Sequence, residues 1–443
     1  MSAANARWRQ KLHLEPPQGW MNDPNGLCFY KGSYHVYFQY SPMGARGEPP
    51  RGWGHFTSPD LLRWTFTGMA LQPDIPEDRN GAYSGSAIER NGLLHLFYTG
   101  NVKEQGNYDY ILRGRGANVI RVTTADGHNM SPKEVLLRNS DYPAFCSCHV
   151  RDPKVWEEDG VFRMILGART VDSRGCALLY TSDDLTHWQY DRCLSLPDTG
   201  YMWECPDLFT LGEETYLSAS PQGVPAETYR FQNVYSCGYF RMDGDTPTQY
   251  TEWDCGFDFY APQTFLAPDG RRLLIGWMGI GDIPYANPTV PLGWQHCLTL
   301  PREVTQGADG VLLQTPAREL DALREDALPL QNGTYSLPFD LCAQADGDFR
   351  LSLDGVQMQA ADGVFTLRFT DDAVGCGRTA RYAKLPQCRS FRVIADTSSL
   401  EIYLDGGRTV LSTRWYPASP KTALIAENLT GSLYPLRGMQ IDY

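Results

Sequence analysis

The sequence has no long apolar run. Its first twenty residues, MSAANARWRQKLHLEPPQGW, lack the hydrophobic stretch of a signal peptide, and nothing later approaches a membrane span. It is also short of positive charge. A formal net charge of −13 argues against nucleic acid or an anionic membrane, both of which need basic patches, so neither is expected as a partner. The twelve cysteines include no CxxC pair; the closest spacing is Cys146-Ser-Cys148. Cys28 and Cys297 sit in apolar, strand-like runs and read as buried thiols. With no export signal, a cytoplasmic location is expected and disulfides are not. The sequons at Asn129, Asn332 and Asn428 then carry no meaning. Long helical periodicity is missing as well, which excludes an α-helical or α/β architecture.

What is present is strand and turn. With 443 residues the chain is too long for one ordinary core, and two domains are expected. Short apolar-aromatic runs alternate with Gly, Asn-Gly and Asp-Gly turns, an all-β pattern. Five hairpin units recur, beginning at Asp23, Tyr83, Asp152, Cys205 and Tyr260. A smaller repeat supports them: TSPDLLRW (Thr57 to Trp64) and TSDDLTHW (Thr181 to Trp188) each follow a strand at a similar place in their unit. Divergent repeats of roughly 40–60 residues built from short strands predict a five-bladed β-propeller over 1–315. The charged PARELDALRED predicts a short linker helix within 316–330. The strands that follow, over 331–443, have the rhythm of a β-sandwich.

The first strand of a blade lines the channel, and its start lies near one mouth. Asp23, Asp152 and Glu204 stand at or just before that point in three units. Propeller symmetry brings them together, and convergent carboxylates in a concave site are what glycoside hydrolysis needs. Cleavage passes through an oxocarbenium-like state, with one carboxylate attacking the anomeric carbon and one carboxylic acid protonating the leaving oxygen. Asp23, in a turn rich in donors (Asn22, Asn25, Gly26), suits the ionised nucleophile. Glu204, between Trp203 and Cys205 with two Asp residues opposite, suits an acid kept protonated by desolvation and negative charge. Asp152 remains as a third carboxylate gripping sugar hydroxyls, with Arg151 offsetting the accumulated charge.

The motifs WMNDPNG (Trp20 to Gly26), RDP (Arg151 to Pro153) and WECPD (Trp203 to Asp207) resemble the three signatures of glycoside hydrolase family 32. The resemblance extends over FQY (Phe38 to Tyr40), WGH (Trp53 to His55), YSGSA (Tyr83 to Ala87), FYAPQTF (Phe259 to Phe265), GWQHCLTLPRE (Gly293 to Glu303) and DTSSLEIYLDGG (Asp396 to Gly407). It implies a propeller plus sandwich, net retention, and no metal or cofactor. It also implies Asp23 as nucleophile, Asp152 as stabiliser and Glu204 as acid/base. Asn22, Gln39, Trp53, Tyr83, Ser84, Arg151 and Trp277 would line a fructosyl pocket. Within the family the likeness is to bacterial sucrose-6-phosphate hydrolases, so a sugar partner is expected, sucrose or its 6-phosphate. The alternative is an exo-acting hydrolase of short inulin or levan chains. The inverting arabinan and xylan hydrolases lack the WMNDPNG start, and the intact acid triad argues against a non-catalytic sugar-binding protein. The segment SPMGARGEPPRG (Ser41 to Gly52) departs from the family pattern at the pocket rim, where Arg46, Arg51, Arg113 and Arg115 are in reach of a phosphate. Oligomeric state stays open, a homodimer being one option.

Overall fold

The computed structural model describes residues 7–443. Residues 1–6, with the expected start of the first domain, lie outside the described residues. The chain is all-β, a β-propeller followed by a sandwich-like assembly of strands. No helix among the described residues is long and apolar enough to cross a membrane, and all twelve cysteines are unpaired.

Five antiparallel sheets succeed one another along the propeller region, each built around four or five consecutive strands. Their first strands are Gly19–Tyr30, Ala82–Arg90, Cys146–Glu158, Met202–Leu211 and Tyr260–Leu266. Each packs against the first strand of the next sheet, and Tyr260–Leu266 packs back against Gly19–Tyr30. The short strand Trp294–Gln295 pairs in parallel with Gly19 and Trp20 and ties the last part of the propeller to its beginning.

The five first strands share a local irregularity. Each loses register with its neighbour at an equivalent place: around Asn22 and Asp23, at Ser84, at Asp152-Pro153, at Cys205-Pro206 and at Ala261-Pro262; the first and third strands have a second such shift. The cause is in the sequence. Proline has no N–H to give the ladder, so a proline inside a paired strand forces a bulge. In the second sheet Gly85 stands where the others have proline, and a Cβ there would lie 1.9 Å from the Phe97 carbonyl oxygen. Asp152, Cys205 and Ala261 hold left-handed backbone, with φ of 65°, 46° and 49°. That conformation costs a non-glycine residue about 1–3 kcal/mol, and strain of this kind gathers at functional sites. The bulges thus set five residues (Asp23, Ser84, Asp152, Cys205 and Ala261) at equivalent points of consecutive sheets, and Asp23, Ser84, Asp152 and Cys205 meet.

The repeated SxDLxxW is a turn device. Asp60 Oδ1 accepts from the backbone N–H groups of Leu62 and Arg63, and Asp184 Oδ1 from those of Thr186 and His187. Asp126 does the same for His128 and Asn129 in the second sheet, a third copy that its sequence, TTADGHN, hides.

The expected linker helix is a six-residue 3-10 helix, Arg318–Leu323. Beyond it, ten strands pair around a core that includes Phe339, Leu351, Phe391, Ile402 and Trp415. The final strand, Gln440–Asp442, returns to pair in parallel with Arg63–Thr65 of the first propeller sheet. A buried polar network joins the two parts. His13 bridges Asp396 and Glu401 at 2.8 and 3.0 Å, while Arg302 reaches Glu401 and Asp254. Arg378 grips Asp258 with two 2.8 Å bonds.

Candidate active site

The bulges meet in a cavity of about 520 Å³. Asn22, Asp23, Gln39, Tyr83, Ser84, Arg151, Asp152, Glu204 and Trp277 all line it. Trp53 does not. It is fully buried and its Nε1 donates to the Tyr83 carbonyl oxygen at 3.0 Å, so it props up a cavity residue from behind.

Asp23 is held from two sides. Asn22 Nδ2 donates to Oδ1 at 3.1 Å and Ser84 Oγ donates to Oδ2 at 2.6 Å. Trp20 Nε1 in turn donates to Asn22 Oδ1 at 2.7 Å, which fixes the amide. The donors therefore come from Asn22 and the neighbouring sheet, while Asn25 instead accepts from the Gly85 N–H and stitches the two sheets together. The expectation that its turn would keep Asp23 low is corrected by burial. Desolvation raises the Asp23 carboxyl above its usual range against the two donors, and the Glu204 charge adds to the rise.

Asp152 Oδ2 accepts the Cys205 N–H at 2.9 Å, and its own N–H donates to Thr99 Oγ1 at 2.8 Å. Burial pushes its pKa up to about 7; Arg151 opposes this and Glu204 and Asp23 reinforce it. The Cys205 thiol lies between the two aspartates, 3.8 Å from Asp23 Oδ2 and 3.7 Å from Asp152 Oδ2. These contacts tie the three carboxylates together, because Cys205 follows Glu204 directly in the chain.

Glu204 has a more polar setting than its sequence neighbours suggest. Arg151 Nε and Nη2 donate to Oε1 at 3.0 and 2.6 Å, and Gln222 Nε2 and the Tyr260 hydroxyl donate to Oε2 at 2.9 and 2.6 Å. Arg151 also lies 4.0 Å from Asp152, so it offsets both charges as expected. Its Nη1 donates to His149 Nδ1 at 2.8 Å. Burial and the Arg151 charge lower His149 to about 3, so the ring is neutral and its Nε2–H donates to the Tyr110 carbonyl at 2.9 Å.

Tyr260, Gln222, His149 and Trp20 are cavity residues that the sequence reading did not single out. Tyr260 was findable, since it precedes the fifth bulge as Glu204 precedes the fourth. Gln222 ends a second strand, where nothing in the repeat marks it. Of the four rim arginines, Arg46, Arg51 and Arg115 line the cavity and Arg113 does not.

The model of the glycosyl hydrolases family 32 N-terminal domain matches residues 13–316, and that of the family's C-terminal domain matches 362–434. A Bacillus subtilis sucrose-6-phosphate hydrolase is 39% identical over 92% of this chain and 89% of its own. An Escherichia coli raffinose invertase is 36% identical over 97% of this chain and 93% of its own. Among solved structures, a Lactobacillus gasseri sucrose-6-phosphate hydrolase, 28% identical, matches with a TM-score of 0.89 over 99% of this chain and 95% of that one. A variant of a Bombyx mori β-fructofuranosidase in complex with sucrose, also 28% identical, matches with a TM-score of 0.85 over 99% of this chain and 96% of that one. With its two matched domains and a carboxylate-lined cavity at the bulges of its propeller, this chain is a glycosidase and belongs to glycoside hydrolase family 32.

Proposed function

We propose that the chain is a retaining β-fructofuranosidase that releases fructose from sucrose or sucrose 6-phosphate. The observation that carries this reading is the convergence of Asp23, Asp152 and Glu204 on one cavity, linked through Cys205. Asp23 attacks the anomeric carbon while Glu204 delivers a proton to the departing glycosidic oxygen, and a fructosyl ester forms as the C–O bond to the leaving sugar breaks. Water then attacks the same carbon, Glu204 takes its proton, and Asp23 is released as carboxylate. Asp152 accepts hydrogen bonds from ring hydroxyls. Asn22, Gln39, Tyr83, Ser84, Arg151 and Trp277 shape the fructosyl pocket around it.

We count each of the five sheets as one blade, and place the catalytic domain at 1–315, a linker at 316–330 and the sandwich at 331–443. The cytoplasm suits twelve unpaired thiols, because its reducing chemistry keeps them so. Turnover of sucrose, sucrose 6-phosphate and kestose by the protein and by Glu204→Gln tests the activity. Sucrose cleavage reduced about 10²–10⁴-fold in the variant supports the assignment. No hydrolysis of any of the three by the unaltered protein refutes it.

A further inference from the structure

His13, His35, His55 and His296 are buried. The first three each use both ring nitrogens in hydrogen bonds. His296 uses neither among the described residues, although it is only 1% exposed. Buried nitrogens without partners are costly, and an apolar side chain would fill the place without that cost. Lapses of this kind in an otherwise consistent core gather at functional sites.

The backbone sets His296 apart as well. It stands between two short strands, Trp294–Gln295, which pairs with Gly19 and Trp20, and Cys297–Leu298, which pairs with Trp277 and Met278. A left-handed φ of 72° turns the chain between the first propeller sheet and the last. The imidazole thereby comes against Trp20 and Trp277, the two indoles that line the cavity. Its ring centroid lies 4.4 Å from that of Trp20 and 4.9 Å from that of Trp277, with the planes crossed at 87° and 89°. Edge-to-face contacts of this kind fix ring orientation.

The two indoles use the contact differently. Trp277 Nε1 is buried without a partner. A side chain at Gly279 would collide with both that nitrogen and His296 Nδ1, so the two nitrogens face one small space. An indole N–H can only donate, which makes Nδ1 the acceptor side of a neutral ring. Burial, with Arg414 and Arg378 nearby, holds His296 well below the usual histidine range against the pull of Asp258, so the ring is neutral as this requires. Trp20 carries its contact further. Its Nε1 donates to Asn22 Oδ1 at 2.7 Å, and Asn22 Nδ2 donates to Asp23 Oδ1 at 3.1 Å. The last torsion of an asparagine is soft, and the indole is what keeps the Asn22 amide from turning its oxygen toward the carboxylate.

We propose that His296 is a positioning residue for the cleavage reaction, a wedge behind Trp20 and Trp277 whose ring acts on Asp23 through Trp20 and Asn22 and whose Nδ1 sets the Trp277 wall. The inference rests on the fructose-releasing activity proposed above and adds a residue to its machinery. The test is steady-state hydrolysis of sucrose by the full chain and by His296→Asn, His296→Phe, Trp20→Phe and the double variant His296→Asn/Trp20→Phe, with kcat referred to the folded fraction measured by denaturant unfolding. Asparagine tolerates the left-handed backbone and removes the ring, so His296→Asn should lower kcat about 10–100-fold. Phenylalanine restores a ring edge without the nitrogen, so His296→Phe should recover most of that loss and show a raised KM instead. The double variant should be no slower than Trp20→Phe alone, because both changes break the same path to Asp23.

Losses that multiply in the double variant would overturn the path through Trp20. An unchanged kcat in His296→Asn, or a phenylalanine variant as slow as the asparagine one, would overturn the wedge and leave His296 as packing. Failure of the unaltered protein to cleave sucrose would instead refute the activity on which the proposal depends.

Discussion

Ser84 Oγ donates to Asp23 Oδ2 at 2.6 Å, a bond between two residues that occupy the same bulge position in consecutive sheets. It opposes the rise that burial imposes on the Asp23 carboxyl. Removing it should make the nucleophile harder to ionise and looser in orientation. Ser84→Ala is expected to lower kcat about 10–100-fold, the worth of a hydrogen bond to a charged group. The acidic limb of the kcat/KM profile should move to higher pH. An unmoved limb in a pH series would show that Ser84 does not tune Asp23.

Asp152 combines a function with a cost. Its carboxyl is raised from 3.8 to about 7 in the folded protein, so the folded state binds an extra proton between those values. Stability therefore falls as pH rises through this window. Asp152→Asn should be more stable than the parent by about 2–4 kcal/mol at pH 8, with the gain vanishing toward pH 4. The same variant should lose kcat far more than KM changes, since the contacts of Asp152 tighten at the transition state. Denaturant unfolding at several pH values and steady-state kinetics check the two halves separately.

A raised pKa has the same sign but another cause at the joint between the two domains. Burial disfavours protonated His13, but Asp396 and Glu401 outweigh it and raise the group to about 9. The stabilisation is complete below about 6.5 and is lost as pH rises through about 9. It amounts to about 3 kcal/mol. His13→Gln should destabilise the protein by about 3–5 kcal/mol near pH 6, because two buried carboxylates lose their counter-charge. The gap to the parent should narrow by pH 10. A gap independent of pH, measured by calorimetry, would mean that His13 is neutral in the fold.

Much of the site was legible because symmetry concentrates it. Asp23 and Asp152 share a place in the hairpin repeat and Glu204 stands one residue before it, and a repeat that closes on itself must bring such residues together. Side-chain direction was less legible. Trp53 stands opposite Gln39 in the ladder, yet Gln39 reaches the cavity while Trp53 is covered by Tyr83, and a sequence motif treats both alike. The electrostatics were least legible. The sequence neighbours of Glu204 are Trp203 and Cys205, but its hydrogen-bond donors, Arg151, Gln222 and Tyr260, come from three other strands. Likewise Asp23-Pro24 reads as part of a turn, whereas it is a bulge inside a long strand, because strand continuity is decided by neighbouring sheets and not by the dipeptide.

The central claim is that Asp23 and then water attack one anomeric carbon in succession, with Glu204 moving the proton each time, and the configuration of the first product tests it most directly. We expect proton NMR of sucrose hydrolysis, recorded before mutarotation, to show β-fructofuranose appearing first, as double displacement through Asp23 requires. Initial release of α-fructofuranose would contradict the account, because it would mean a single displacement by water, with Asp23 acting as a base across a wider gap of about 6.5–9.5 Å.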